Sequence, residues 1–452
     1  FTTTTNLTSQ YDLRRVEGFF SRVNYDYDSK YFVSFSARRD GSSKFYQDKR
    51  WGTFYSASAA WRLDQEDFIK ELTFIDNLKL RSSWGQTGND GGISNYAWQP
   101  LYALGWNNAL EPGILQSSLG SKSLEWETNT AFDVALEFGL FKNRVSGTIE
   151  YFDRQSTNLI FAVPLPLSVG IGTETRNIGS MYNRGIELQL AADLIRTKDF
   201  VWNVDFNATK LENKITKMPA ESKEIIDGTK KLAENRSLYD YWLREYEGVN
   251  PENGVAEYRA IAFVPANSRI TANGDTLTNN ISNARFGYNG TSIADLTGSV
   301  NTSLCYKGFS LTALMVYQVG GKIYDGAYAS LMGAGYHNAK HEDILKRWVN
   351  PGDITNVPRM DAGRTADFDA ASDRWLIDGS FMNIRTVTLS YRLPKSVMNR
   401  LKIDNAQVYV SGENFLMLSR RSGMNVQQNF GGTTSNVYSP AKSLVLGLSF
   451  SL

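Results

Sequence analysis

Residues 183–209 read NRGIELQLAADLIRTKDFVWNVDFNAT, and they spell out two strands. Ile186, Leu188 and Leu190 flank Glu187 and Gln189, while Trp202, Val204 and Phe206 flank Asn203 and Asp205. Successive side chains of a strand point to opposite faces, so this period of two gives each run one apolar and one polar face. Only Arg196-Thr197-Lys198 separates the runs at their closest, which makes them a hairpin. Each is long enough to cross a bilayer when tilted, which takes roughly ten residues.

The pattern recurs in both directions. Upstream, Val23, Tyr25 and Tyr27 alternate with Arg22, Asn24 and Asp26, and Phe132, Val134, Leu136 and Phe138 with Asp133, Ala135 and Glu137. Downstream, Leu444, Leu446, Leu448, Phe450 and Leu452 share one face of the last run. The spacing predicts about thirteen strands. They fall at 17–27, 30–39, 51–62, 76–87, 126–139, 143–154, 179–194, 199–211, 293–306, 308–319, 381–393, 405–417 and 442–452.

The connections alternate between short and long. The short ones are Asp28-Ser29, Leu140–Lys142, Arg196–Lys198 and Lys307, with 63–75 and 394–404 somewhat longer. The long ones are 40–50, 88–125, 155–178, 212–292, 320–380 and 418–441. Outer-membrane barrels have short periplasmic turns and long extracellular loops, a regularity that a soluble sandwich has no reason to show. The segment Tyr241–Val249 also alternates, and it is the one place where the strand count is open. Tyr27, Tyr31, Trp61, Phe138, Phe141, Phe200, Trp202, Tyr306, Phe309 and Tyr391 all lie beside short connections, as an interfacial aromatic girdle would.

Composition agrees. Aromatics are 13% and apolar residues 42%, yet mean hydropathy is only −0.35. No run of about 18 apolar residues exists, which excludes a helical span but not a barrel, whose two faces average out. A net charge of +1 gives no reason to expect nucleic acid as a partner. The single cysteine, Cys305, excludes an internal disulfide and a cysteine-based metal cluster. The chain opens FTTTTNLTSQYDLRR, without the apolar core of a signal peptide, so export implies sequence upstream. The expected fold is all-β: a transmembrane antiparallel barrel, with residues 1–452 its last thirteen or so strands. If short turns are periplasmic, the last strand ends in the periplasm and an odd number of strands precedes Phe1; nine would complete the roughly 22 of the largest plugged transporters.

Longer stretches carry a resemblance. NIGSMYNRGIELQL (177–190) with DFVWNVDFNATKLENKI (199–215), EYEGVNPENG (245–254), YKGFSLTALMVYQVGGKIYD (306–325), RWVNPGD (347–353), VPR (357–359), DGSFMNIRTVTLSYRLP (378–394), VYVSGENFLML (408–418) and SPAKSLVLGLSFSL (439–452) resemble segments of the SusC/RagA-type TonB-dependent transporters, in order and spacing. SARRDGSSKF (36–45) and LKLRSSWGQTGN (78–89) fit as well. The chain departs from the family's usual pattern at Asn383, where a basic residue is common, and at Leu452, where an aromatic often stands. The resemblance implies TonB-dependent import of an oligosaccharide or oligopeptide across the outer membrane of a Gram-negative bacterium. It also implies an N-terminal plug, a TonB-binding segment, a carboxypeptidase-like extension and a SusD-like lipoprotein on the extracellular face. A receptor or adhesin barrel that transports nothing is the alternative.

Enzyme chemistry finds little support. His337 and His341 are four apart, but Glu342 follows the second rather than adjoining the first, unlike HExxH. GDT (274–276) and NPENG (250–254) lack an EF-hand's ligand run and read better as turns. QVGGK (318–322) lacks phosphate-loop spacing, and no nucleophile, base and oxyanion group come together. No metal or cofactor is expected. The functional candidates are therefore of two kinds. Arg81, Asp133, Glu137, Glu187, Asp205 and Arg385 stand opposite the apolar face and are expected to line the lumen. Trp98, Tyr102, Trp106, Tyr336, Trp348 and Trp375 lie in the long loops, where flat rings suit sugar or peptide ligands.

Overall fold

The computed structural model describes residues 11–108, 111–220, 222–334, 339–421, 424–427, 430–434 and 440–451. Thirteen strands hydrogen-bond in chain order into one sheet. They are β1 (Val16–Tyr27), β2 (Tyr31–Ser42), β3 (Trp51–Arg62), β4 (Ile75–Asn89), β5 (Glu127–Leu140), β6 (Val145–Thr157) and β7 (Ser180–Arg196). They continue as β8 (Phe200–Lys217), β9 (Leu296–Tyr306), β10 (Phe309–Val319), β11 (Phe381–Arg392), β12 (Asn405–Ser419) and β13 (Ser443–Ser451). Each falls where period-two alternation places it. Tyr241–Val249 forms strands outside this sheet, Asp240–Arg244 and Tyr246–Val249, so the count of thirteen stands.

The apolar face is exposed where a soluble protein would hide it. Val23 is 63% exposed, Leu446 75%, Leu448 64% and Phe450 60%. A row of such side chains on a continuous sheet face is unstable in water at about 25 cal/mol per Å², and stable against lipid. No helix is long and apolar enough to cross a membrane among the described residues.

Short turns follow from local geometry. Lys307 and Gly308 both have positive φ, +44° and +94°, the signature of a two-residue hairpin turn whose twist matches its strands. Asp28 and Ser29, at +56° and +49°, open the three-residue turn between β1 and β2, whose ends Tyr27 and Tyr31 pair. Aromatic pairs mark these turns: Tyr27 with Tyr31, Tyr31 with Trp61, Phe74 with Phe141, Phe200 with Tyr306, and Phe309 with Tyr391 at 4.4 Å. The Tyr31 hydroxyl and the Trp61 indole both donate to Glu66 Oε1, at 2.7 and 3.1 Å, so the rings are apolar in body and tied to a polar tip.

Contacts group the chain into two compact units. The first comprises Phe1–Asn143, Thr148–Gly185 and Asn213–Lys223. Its buried centre is Phe45, Ile93 and Leu124 with Trp126 against them, in the loops at the far end from the short turns. Gly52 and Gly88 leave the slot for buried Phe54, since a Cβ at Gly88 would lie 2.1 Å from its ring. The second comprises Arg144–Gly147, Ile186–Glu212 and Glu224–Leu452. Its long loops fold into two four-stranded sheets and carry two small cores. One is Met332, Ala334, Val357, Phe368 and Trp375; the other is Ala256, Tyr258, Ala284 and Ala370.

Candidate functional site

In the first unit the inward polar face carries a charge cluster. Register pairs Lys79 with Glu137, Arg81 with Ala135 and Ser83 with Asp133, so all six side chains share one face of β4 and β5. The Arg81 guanidinium reaches diagonally: Nε donates to Glu137 Oε1 at 2.8 Å, Nη1 approaches Asp133 at 3.4 Å, and Nη2 meets Glu150 of β6 at 2.5 Å. Lys79 adds a looser pair to Glu137 at 3.4 Å, and the Ser83 hydroxyl donates to Asp133 at 2.7 Å. Two cations thus face three carboxylates, all partly screened from solvent. A recess of about 500 Å³ opens beside them, its polar rim including Arg22, Asn24, Ser34 and Ser58. Glu150 joins the cluster from β6 through its contact with the same guanidinium.

In the second unit the expected lumen residues stay apart. Asp205 is exposed on β8 and accepts a hydrogen bond from Asn301 Nδ2 of β9 at 3.1 Å. Glu187 lies half-buried on β7. Arg385 is exposed, and the ladder shifts register around it, between Ile384 and Thr386, on both neighbouring strands. A bulged residue is not held to either face by pairing, so alternation does not fix where it points. Asn383, two residues back, is 2% exposed, and its Oδ1 accepts no hydrogen bond among the described residues.

The loop aromatics divide by burial. Tyr102 and Trp106 are 56% and 62% exposed; Tyr102 sits on the hairpin of Leu101–Leu104 with Ile114–Ser118, and Trp106 just beyond its first strand. Trp98 is half-buried, its ring 5.7 Å from Tyr46. Trp348 is half-buried too, with its indole donating to the Pro251 carbonyl at 3.0 Å. Trp375 is 1% exposed, and its indole donates to the Ala370 carbonyl at 3.0 Å, so it packs the loop core and presents no ring face to a ligand. Tyr336 and His337 lie outside the described residues. His341 uses Nδ1 to accept from the Asp343 amide at 3.1 Å, as a helix cap does.

Around Trp375 the loops are knit by buried polar groups that alternation does not reveal. The Arg374 guanidinium lies 4.4 Å from the Trp375 ring centre, 5.1 Å from Phe368 and 5.2 Å from Tyr246. Burial lowers its pKa, and the nearby tyrosines oppose that shift only in part. Burial likewise pushes Tyr246 up to about 12 and raises Tyr258 further. The Tyr258 hydroxyl donates to the Asp367 carbonyl at 2.5 Å, and that of Tyr241 to Gly432 at 2.6 Å and Lys322 at 3.0 Å. Asp373 accepts from the Tyr246 amide at 2.8 Å and from Asn289 at 3.1 Å. Nothing in this set pairs a nucleophile with a base; it is a scaffold that holds loops far apart in sequence in one arrangement.

A thirteen-stranded sheet in chain order, apolar outside and charged inside, meets its counterpart among known proteins. The family profile described as "TonB dependent receptor-like, beta-barrel" matches residues 1–415. The chain belongs to this TonB-dependent receptor family. TonB-dependent receptor P3 of Formosa agariphila is 29% identical over 91% of this chain and 42% of its own length. TonB-dependent receptor SusC of Bacteroides thetaiotaomicron is 27% identical over 95% of this chain and 43% of its own. The structure of the RagAB peptide importer in its closed-closed state superposes with a TM-score of 0.85 at 26% identity, over 97% of this chain and 48% of that one. The chain is thus a receptor barrel of the SusC/RagA type, located in the outer membrane, and its relatives bear the names of receptors and importers, not of enzymes. It spans less than half the length of each of these relatives.

Proposed function

We propose that the protein imports an oligosaccharide or oligopeptide across the outer membrane, energised through TonB, with a SusD-like lipoprotein seated on its long-loop end. The observation that carries this reading is the likeness to the RagAB peptide importer, at a TM-score of 0.85 over 97% of the chain. The loops add support: 320–380 folds around one small core and packs Ala370 into a second one with 212–292, which gives a partner a defined seat rather than a loose fringe. In this reading 88–125, 212–292 and 320–380 are extracellular. Tyr102 and Trp106 offer exposed rings to ligand or lipoprotein, Trp98 and Trp348 offer partial ones, and Arg81, Asp133, Glu137, Glu187 and Asp205 line the passage. A barrel of about 22 strands leaks unless it is plugged, so transport requires a plug and energy to move it. The test is uptake of labelled oligosaccharides and oligopeptides by cells with and without TonB. Uptake that depends on both TonB and the receptor is expected; uptake unchanged without TonB makes the barrel a passive pore.

A further inference from the structure

Four strands of the second unit carry an uncharged recess on their inward face, at the long-loop end. Cross-strand register sets Thr209 opposite Thr297, Thr297 opposite Gln318, and Gln318 opposite Phe381, so one row runs across β8, β9, β10 and β11. The neighbouring positions Tyr317, Val319 and Met382 point the other way, toward lipid, the last two being 51% and 37% exposed. The recess over this row holds about 450 Å³, within the range of ligand pockets. Its walls are Leu211, Val316, Ile323 and Phe430, with Ser292 and Gln427 at its edge, and no ionisable side chain lines it among the described residues. Phe430 is 57% exposed and held edge-on against Tyr239, with ring centres 4.8 Å apart. The amide nitrogen of Gln318 donates to the Gly379 carbonyl at 3.1 Å, and its amide oxygen is the acceptor the side chain can offer to a ligand.

We propose that this recess takes an apolar side chain of an oligopeptide, with Gln318 receiving a backbone N–H of the same peptide; the proposal rests on the import reading above and names its substrate class. Branched aliphatic walls reward burial of a leucine-like group, whereas the single row of hydroxyls and amides is too short to partner all the hydroxyls of a sugar ring, and each one left unpaired loses its hydration. None of the described lining residues offers a cation to a phosphate, a sulfated glycan or a carboxylate. A short row of hydroxyl and amide groups flanked by aliphatic walls suits a peptide, which alternates one side chain with one amide.

The intact purified receptor is titrated with blocked pentapeptides of glycine whose central residue is leucine, phenylalanine, serine or aspartate, and with maltotetraose. The leucine peptide should bind at least tenfold tighter than the serine and aspartate peptides and than maltotetraose. Val316→Trp, which fills the recess, should weaken it at least tenfold. Val316→Ala, which enlarges the recess without burdening the fold, should move preference from leucine toward phenylalanine. Equal affinity for all four peptides, or a leucine preference that both variants leave untouched, overturns the proposal. Uptake separates it from the reading beneath: TonB-dependent import unchanged in Val316→Trp removes the recess and keeps the importer. Leucine-selective binding lost in Val316→Trp, in a receptor that imports nothing, keeps the recess and removes the importer.

Discussion

Replacing Arg81 by leucine should expose how much of the first unit depends on its inward charges. The guanidinium has Glu137, Asp133 and Glu150 within 2.5–3.4 Å, and only about a third of the side chain is exposed. Asp133, Glu137 and Glu150 are 23%, 31% and 19% exposed, so water screens them partly. An exposed ion pair contributes about 0–1 kcal/mol, whereas stripping one partner from a buried pair costs about 3–5. This site stands between the two, and the loss leaves three carboxylates facing one lysine. The expected cost is about 2 kcal/mol, a factor of roughly thirty in the folding equilibrium. Guanidinium titration of the receptor in lipid vesicles, followed by tryptophan fluorescence, measures it. The cycle matters more than the single value: adding Glu150→Gln to Arg81→Leu should recover about half the loss, because it removes one of the stranded charges. A variant as stable as the parent, or a second substitution that merely adds its own cost, refutes the charge-cluster account.

Cysteine at Ile354, 98% exposed in the loop 320–380, should react with an impermeant reagent on intact cells, while cysteine at Lys142 in a short turn should react only after the outer membrane is opened; the reverse inverts the proposed topology. Val134→Arg puts a charge on the outward face of β5 and should cost about 2–4 kcal/mol near the bilayer midplane, read by the same vesicle titration; a cost below that of Ser83→Ala would mean no lipid touches this face. Burial lowers Lys230, in the loop hairpin of Glu224–Asp227 and Lys230–Ala233, to about 7. Its unfolded value is about 10.4, so between pH 7 and 10 the unfolded loop holds a proton that the folded loop lacks, and stability rises with pH. Lys230→Met should therefore raise the melting temperature most at pH 7 and progressively less toward pH 10; a constant difference across that range contradicts the buried, charge-averse lysine.

Period-two alternation and the rhythm of short and long connections determined the strands, their order and the lipid-facing side. These are local properties: a strand's two faces are written in adjacent residues, and hydrogen bonding in chain order needs no long-range choice. Arg81, Asp133 and Glu137 were legible as inward for the same reason, and only the diagonal reach across β4, β5 and β6 showed that they and Glu150 meet. Ala135 illustrates the limit. Its alternation marks it as a lumen position, yet it is 1% exposed and directly opposite Arg81, so a second guanidinium there would be crowded and repelled. Arg385 escaped alternation because a bulge adds a residue and breaks the period. Trp375 looked like a free loop aromatic because burial inside a long loop depends on partners remote in sequence: Tyr258 bonds to Asp367 across 109 residues, and Tyr241 to Gly432 across 191. Such closures leave no periodic trace, since each is a single contact whose partners are chosen by the folded loops and not by their neighbours in the chain.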